Sequence, residues 1–101
     1  MISSTMGYLY VLINPAMPKG VVKVGRTKDP RQRLSGYPKG SRYVYISPRL
    51  VDCHSSESAL LSKMKRDIEL YTGNEYFLCK ESVALKYIHD LLDCDPCPMR
   101  T

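Results

Sequence analysis

The stretch that decides the fold is YLYVLINPAMPKGVVKVGRTKDPRQRL, residues 8–34. Residues 8–14 and 21–24 are rich in β-branched and aromatic side chains, which is typical of strands. If they pair across the loop 15–20, alternation along each strand makes one face of the hairpin apolar and gives the other face tyrosines and a lysine. The apolar face then carries Leu9, Val11, Ile13, Val22 and Val24, and the opposite face carries Tyr8, Tyr10, Leu12, Val21, Lys23 and Gly25.

The end of this stretch, TKDPRQRL, is a helix start. Asp29 can accept a hydrogen bond as the N-cap, Pro30 suits the first helical position, and Gln32 completes an Asp-x-x-Gln capping box. Arg33 therefore lies in or just beyond the first turn, and Tyr37 shares its side if the helix continues. The Gly-Tyr-Pro-Lys-Gly run at 36–40 predicts that the helix ends there.

The remaining chain predicts one more strand, two helices and a short extended segment. Residues 43–46 form a strand, 73–79 a turn into a short strand or extended segment, and 93–101 an irregular tail. A helix over about 55–71 follows the stripe of Leu60, Leu61, Met64 and Ile68, and a helix over 82–92 points Ala84, Tyr87, Ile88, Leu91 and Leu92 inward. The expected fold is one α+β domain over residues 1–101, with a core at about 7–92 and a small central three-stranded antiparallel sheet flanked by helices.

Glu57 lies one turn before the apolar stripe of the long helix. A carboxylate at the end of a buried stripe is costly unless a metal ion or a basic partner compensates for it. The alternative is that Glu57 simply complements the positive end of the helix dipole. The sequence pattern leaves both interpretations open.

The net charge of +5 is unevenly divided along the 101 residues. Residues 1–51 hold nine Lys or Arg and one acid, a net charge of +8, whereas residues 52–101 hold six bases and nine acids, a net charge of −3. A basic half favours a polyanionic partner, nucleic acid ahead of an anionic membrane. No apolar run of 18 residues and no signal-peptide pattern occurs, so we expect an intracellular protein, in cytoplasm or nucleus, without a membrane span.

The four cysteines are Cys53, Cys79, Cys94 and Cys97. A structural zinc ion needs about four ligands, usually as two close pairs, and only Cys94 and Cys97 form such a pair. Zinc and a disulfide both stay open, but ordinary reduced thiols are the favoured interpretation in an intracellular setting.

The order and spacing of these residues resemble the GIY-YIG nuclease superfamily, most closely its compact branch common in phages and large DNA viruses. Tyr8-Leu9-Tyr10 stands where the first signature would be, and Lys23-Val24-Gly25 stands where the second would be. Arg33 follows Gly25 by the family interval of eight residues, Glu57 lies near the start of the next long helix, and 73–77 matches the Gly-x-Glu-aromatic-Phe element of the branch. The resemblance spans residues 7–79.

Two departures accompany the resemblance. Tyr8 replaces the glycine of the first signature, although Gly7 precedes it, and Lys23 replaces the tyrosine that opens the second. Lysine at that position occurs in this branch. The family's late asparagine has only Asn74 as a weak counterpart. His54 is treated as an ordinary residue at the helix start.

The resemblance implies an endonuclease that hydrolyses DNA with Mg²⁺ or Mn²⁺. Tyr10 is the expected general base, Arg33 the phosphate ligand and Glu57 the metal ligand, with Tyr8 lining the site. A phenol has a pKa of about 10, and burial alone raises it, so Lys23 and Arg33 are expected to lower the pKa of Tyr10. The expected DNA-binding residues are Arg26, Lys28, Arg31, Tyr37, Lys39 and Arg42.

Two other functions remain open at this point. One is a DNA-binding module that keeps the fold without turnover, motivated by the changed signatures. The other is a redox or zinc-bound adaptor built on Cys94 and Cys97. We expect a monomer or a homodimer with DNA, and not a membrane, as its partner.

Overall fold

The computed structural model describes residues 6–93, and within this range five strands and three helices follow one another. The strands are β1 (Tyr8–Ile13), β2 (Val21–Thr27), β3 (Arg42–Ile46), β4 (Leu70–Thr72) and β5 (Tyr76–Leu78). The helices are α1 (Pro30–Ser35), α2 (Cys53–Asp67) and α3 (Glu81–Asp93). The α+β class is therefore as predicted, and Asp93, expected in the tail, is the last residue of α3. The rest of that tail, 94–101, lies outside the described residues.

The strands form one antiparallel sheet in the order β3-β1-β2-β5-β4. The predicted β1–β2 hairpin is present, with Tyr10 opposite Gly25 and Val11 opposite Val24. The prediction of three strands was wrong, because β4 and β5 extend the sheet beyond β2. They turn at Gly73, whose φ of +63° belongs to the left-handed region that glycine adopts without steric cost. Each has only three residues, too few for alternation to identify them as paired strands.

The predicted end of the long helix at residue 71 was also wrong. Helix α2 stops at Asp67, and Ile68 already has an extended backbone with φ −127° and ψ 141°. Ile68 and Leu70 both pack against the core. Ile68 fits the spacing of the helical stripe, and Ile68 with Leu70 fits the two-residue period of a strand. The hydrophobic pattern therefore does not show where α2 ends and β4 begins.

The core lies between one face of the sheet and helices α2 and α3. Its buried members, which come from β1, β2, β5, α2 and α3, are Leu9, Val11, Val22, Val24, Leu60, Met64, Phe77, Ala84 and Ile88. This confirms the apolar face predicted for the hairpin, the inward stripe of α3, and the stripe of α2 as far as Met64, since Ile68 packs on the core from beyond the end of the helix. None of the helices in the described part of the chain is long and apolar enough to cross a membrane.

Helix α1 and the segment after it contact the opposite face of the sheet. Asp29 is the N-cap as predicted, and its side chain accepts the Gln32 N–H at 3.2 Å. In a capping box the Gln32 side chain would accept a hydrogen bond from the Asp29 N–H. Here the Asp29 N–H donates instead to the Thr27 hydroxyl at 3.1 Å. The Tyr43 hydroxyl donates to the carbonyl of Pro30 at 2.7 Å, which ties the start of α1 to β3.

Candidate functional site

The outer edge of β2 is only partly covered by its neighbour. Strand β5 pairs with Val21, Val22 and Lys23, and one further hydrogen bond joins the Val24 N–H to the carbonyl of Glu75. From Gly25 onward, no strand within residues 6–93 pairs with this edge. Side chains from the two faces of the sheet can therefore meet around this edge.

A polar cleft of about 150 Å³ lies at this open edge. Three cationic side chains, two carboxylates and one phenol line it, and they come from β1, β2, α1, α2 and the turn before β5. They are Tyr10, Lys23, Arg26, Arg33, Glu57 and Glu75. The structure thus brings together the predicted Tyr10, Lys23, Arg33 and Glu57, which are far apart in sequence.

Tyr10 is almost completely buried, with 1% of its surface exposed. Its hydroxyl lies 2.8 Å from the hydroxyl of Tyr37, and its ring packs edge-on against Tyr43 at a centroid distance of 5.1 Å. The phenol also lies over Gly25, where an added Cβ would be only 2.6 Å from the Tyr10 oxygen. Glycine is therefore required at position 25 by the tyrosine that covers it.

Burial raises the pKa of Tyr10 well above its usual value, and the hydrogen bond with Tyr37 adds to the increase. The nearby Arg33 lowers this pKa by a smaller amount. The predicted lowering by Lys23 and Arg33 was therefore wrong for this state of the protein, because loss of hydration outweighs the effect of the cations. The Tyr10 phenol is protonated at neutral pH.

Lys23 is held by partners on several sides. Its ammonium forms an ion pair with Glu75 and lies 5.6–6.0 Å from the ring centroids of Tyr10, Tyr37 and Tyr76. Burial acts to lower the pKa of Lys23, but the paired Glu75 carboxylate raises it overall. Lys23 is therefore a fixed positive charge in the cleft.

Glu57 is buried at the start of α2, and Arg26 donates to its Oε1 at 2.9 Å. Burial raises the pKa of Glu57, the adjacent Glu75 carboxylate raises it further, and Arg26 opposes both effects. The cost of burying the Glu57 carboxylate is therefore compensated by a basic partner, Arg26. The helix-dipole interpretation does not describe the structure, because α2 begins four residues earlier, at Cys53, with Asp52 as its cap.

Glu57 and Glu75 carry oxygens of the type that a hard divalent cation prefers, and such a cation would compete for them with Arg26 and Lys23. Mg²⁺ keeps several waters and takes one or two protein carboxylates, which matches two glutamates at one wall of a small polar cleft. Within residues 6–93 no group of three or more His, Cys, Asp or Glu side chains is placed to hold a metal ion. A cation at this cleft would therefore rely on water and phosphate oxygens for its other ligands.

The other predicted residues lie around the cleft or away from it. Tyr8 is half-buried and does not line the cleft. Arg26 and Tyr37, expected to bind DNA, belong to the cleft and to its inner hydrogen bonds. Lys28, Arg31 and Lys39 are exposed, and Arg42 is exposed at 3.8 Å from Glu81. His54 and Asn74 are exposed.

Cys53 and Cys79 are free thiols, Cys53 buried and Cys79 half-buried. Burial raises the pKa of both, which leaves them protonated at neutral pH. Cys94 and Cys97, the close pair, lie outside the described residues.

Comparison with protein-family models matches residues 7–92 to the T5orf172 domain. The match covers most of the chain, so the protein belongs to the T5orf172 domain family, a domain found in phage and nuclease-like proteins. Searches of curated proteins and of solved structures returned no match.

Three features of the site were missed from the sequence. Glu75 was recognised only as part of a family-like element, and Arg26 and Tyr37 were assigned to the DNA-binding surface. The signal for Glu75 is its place immediately before β5, which pairs Tyr76 with Lys23. Recognising it required knowing that β5 joins the sheet beside β2.

Proposed function

We propose that this protein is a GIY-YIG-type endonuclease that hydrolyses DNA phosphodiester bonds with Mg²⁺ or Mn²⁺. The observation that carries the proposal is the polar cleft, which collects Tyr10, Lys23, Arg33 and Glu57 from four different elements. Membership of a family found in nuclease-like proteins and the basic N-terminal half of the chain support it.

Phosphodiester hydrolysis needs a positioned water, compensation for negative charge on the phosphate, and a place for the proton of the water. Arg33 is exposed at the mouth of the cleft, where its guanidinium offers paired donors to two phosphate oxygens. Lys23 supplies a second fixed positive charge deeper in the cleft. Glu57 and Glu75 would hold the divalent cation, which stabilises charge on the phosphate and the leaving oxygen when bound.

Tyr10 is the proposed proton acceptor for the attacking water. In the reaction the water oxygen forms a bond to phosphorus, and the bond from phosphorus to the leaving oxygen breaks with its electron pair. The water proton passes to the Tyr10 oxygen. Because the Tyr10 phenol is itself protonated, its own proton must leave at the same time.

The test is cleavage of a panel of linear, supercoiled, branched and single-stranded DNA, with Mg²⁺, with Mn²⁺ and with a chelator. We expect cleavage that requires the cation, and a loss of at least 100-fold for Glu57→Gln, the order of magnitude found when a transition-state contact is removed. Glu69→Gln is the matched control, because Glu69 is exposed just beyond the end of the same helix.

Arg33→Lys is a second variant, since lysine keeps the charge but loses the planar pair of donors. We expect it to cut at least ~10-fold more slowly than the wild type. Cleavage by Glu57→Gln at the wild-type rate would refute the site. DNA binding without cleavage of any substrate would instead favour a DNA-binding module.

A further inference from the structure

Arg26 holds one of the two carboxylates that the proposed reaction assigns to the divalent cation. It lies on β2 just after Gly25, where no strand within residues 6–93 pairs with the outer edge. Alternation along β2 directs its side chain to the face of the sheet that α2 covers, opposite to the face of Lys23. There the Arg26 Nε donates to the Glu57 Oε1 at 2.9 Å. A cation that binds Glu57 must therefore compete with this guanidinium.

The two ion pairs of the cleft differ in how far their cationic side chains can move. The Lys23 side chain is 12% exposed, and its ammonium lies 5.6–6.0 Å from the centroids of three tyrosine rings. The Arg26 side chain is 41% exposed, whereas its partner Glu57 is 10% exposed. Lys23 and Glu57 are thus held in place, and Arg26 has room to turn into solvent. A buried carboxylate that loses its partner is costly, so Arg26 stays until another cation replaces it.

The charges in the cleft determine which side chain yields. Three cationic side chains and two carboxylates line it, so its formal charge is +1 when all five are ionised, and a divalent cation brings it to +3. Two cations on one carboxylate also repel each other at short range. Departure of Arg26 from Glu57 removes this repulsion. Outside the cleft, a DNA phosphate is the group that takes up a guanidinium with paired hydrogen bonds.

We propose that Arg26 couples cation binding to DNA binding by exchanging Glu57 for a backbone phosphate when the cation binds. This coupling rests on the proposed nuclease function. Glu75 keeps Lys23, because that ion pair uses only one of its two carboxylate oxygens. Binding of the cation and binding of DNA then strengthen each other by the same factor, since coupling between two sites is reciprocal. When the cation leaves, Arg26 returns to Glu57.

The first test is a Mn²⁺ titration without DNA, followed by the electron paramagnetic resonance signal of the free ion. Arg26→Gln keeps a polar side chain and removes the competing charge, so we expect it to bind Mn²⁺ about 3- to 10-fold more tightly than the wild type. Arg66→Gln is the matched control. It removes the same charge from an exposed ion pair on α2, with Asp67 at 3.8 Å, and should bind Mn²⁺ within about twofold of the wild type. Equal affinities of the two variants, or no Mn²⁺ binding by the wild type and Arg26→Gln, would overturn the proposal.

The second test uses the wild type alone, so it does not depend on the folding of a variant. The ¹⁵N–¹H signal of the Arg26 Nε reports its hydrogen bond to Glu57 directly. During a Mg²⁺ titration without DNA, we expect this signal to move toward that of solvent-exposed arginines and its exchange with water to become faster. The Arg66 Nε signal should stay where it is. An Arg26 signal that does not change at the highest Mg²⁺ concentration would overturn the displacement of Arg26.

The third test measures the coupling itself. Fluorescence anisotropy gives the affinity for a DNA duplex with Ca²⁺ and with a chelator, for the wild type and for Arg26→Gln. We expect Ca²⁺ to raise the affinity of the wild type at least ~3-fold more than that of Arg26→Gln. An equal gain in both would overturn the coupling. If the wild type cuts no DNA with any cation, the nuclease proposal fails, and the Mn²⁺ and NMR titrations still decide whether Arg26 is displaced from Glu57.

Discussion

The Tyr10 side chain on β1 lies directly against Gly25 on β2, so the position of the Tyr10 hydroxyl depends on the absence of a side chain at residue 25. An alanine at position 25 would place its Cβ 2.6 Å from the Tyr10 oxygen and 2.7 Å from Cζ, closer than real Cβ contacts. The ring is buried among Tyr37 and Tyr43 and has little room to move. The glycine thus determines where the proposed proton acceptor lies.

We therefore expect Gly25→Ala to displace the Tyr10 hydroxyl and break its bond with Tyr37. The cost should be about 1–3 kcal/mol of folding free energy, as for overpacking in a core, together with loss of cleavage. Denaturant unfolding and the cleavage assay measure the two effects.

Gly36→Ala is the control for Gly25→Ala. Gly36 has an ordinary φ of −87°, and its added Cβ would meet the Arg33 carbonyl at 3.5 Å, a normal contact. The free energy of unfolding of Gly36→Ala should equal that of the wild type or exceed it by up to about 1 kcal/mol. Equal behaviour of the two alanine variants would contradict the steric argument.

For single residues, the sequence predicts which side chains line the cleft but not their burial or their hydrogen-bond and ion-pair partners. Tyr10, Lys23, Arg33 and Glu57 line one cleft, the grouping that the family resemblance implies. The burial of Tyr10 was not predictable, because it depends on how the segment after α1 packs on the sheet. That burial reverses the direction expected for the Tyr10 pKa.

Strand β5 is short but helps to position the charged groups of the cleft. It is three residues long, yet it anchors Glu75 beside Lys23. Phe77, at its centre, is fully buried in the core, whereas the next residue, Leu78, is 47% exposed. Phe77 therefore contributes more apolar packing to β5 than Leu78 does.

Phe77→Ala should lower the free energy of unfolding by about 3–5 kcal/mol, the usual cost of truncating a buried phenylalanine. Leu78→Ala should cost under about 1 kcal/mol, because much of that side chain is in water. Denaturant titration followed by circular dichroism measures both. Similar losses for the two variants would contradict the description of β5 as anchored by Phe77.

Helix α2 presents Glu57 and begins at a titratable cap. Asp52 accepts the Ser55 N–H at 3.0 Å, and this hydrogen bond lowers the pKa of Asp52 below its usual value. A lowered pKa contributes stability above the unfolded-state pKa, and this stability is lost as the pH falls through the folded-state pKa. The cap therefore weakens below about pH 4.

Asp52→Asn keeps a side-chain oxygen that caps the helix but does not titrate. We expect the Tm of the wild type to fall more than the Tm of this variant between pH 5 and pH 3. Differential scanning calorimetry of both proteins at matched ionic strength gives the difference. Parallel curves would show that the Asp52 charge does not stabilise α2.

The elements themselves differ in how far the sequence determined them. Strand β1, the first part of β2, the α1 start and most of α3 follow from periodicity and capping. Strand β2 runs three residues past the predicted end at residue 24, and α3 extends one residue beyond each end of the predicted 82–92. The end of α2 and the pairing of β4 and β5 do not, because Ile68 and Leu70 satisfy both periods and three-residue strands carry no periodicity of their own. The conformation of residues 68–78 depends on pairing with β2, which lies far away in the sequence.

For the whole molecule, the division of charge predicts a surface that binds DNA electrostatically. Lys28 and Arg31 are exposed next to Arg33, and Lys63 and Lys65 are exposed on α2. Each phosphate contact contributes about −0.9 to the slope of log K against log salt. Only side chains that contact phosphates should change this slope.

The double variant Lys28→Ala/Arg31→Ala should reduce the magnitude of the slope by about 2 units and weaken binding to all DNA sequences alike. Lys63→Ala/Lys65→Ala, with the same change in net charge, should reduce it by less than half as much. Fluorescence anisotropy over a range of salt concentrations measures both slopes. Equal slopes would contradict a DNA surface centred on α1.

The pairing of Lys23 with Glu75 and of Arg26 with Glu57 has a consequence for product release. Each carboxylate is paired with a cationic side chain that a DNA phosphate would otherwise contact in the proposed complex, so we expect weaker DNA binding than the positive charges alone would give. Glu57→Gln should therefore bind DNA about 3- to 10-fold more tightly, as Arg26 becomes free, while turnover is lost. Anisotropy with chelator present tests this, and weaker binding would contradict it. In the proposed nuclease, the two glutamates would therefore speed the release of the cut strand.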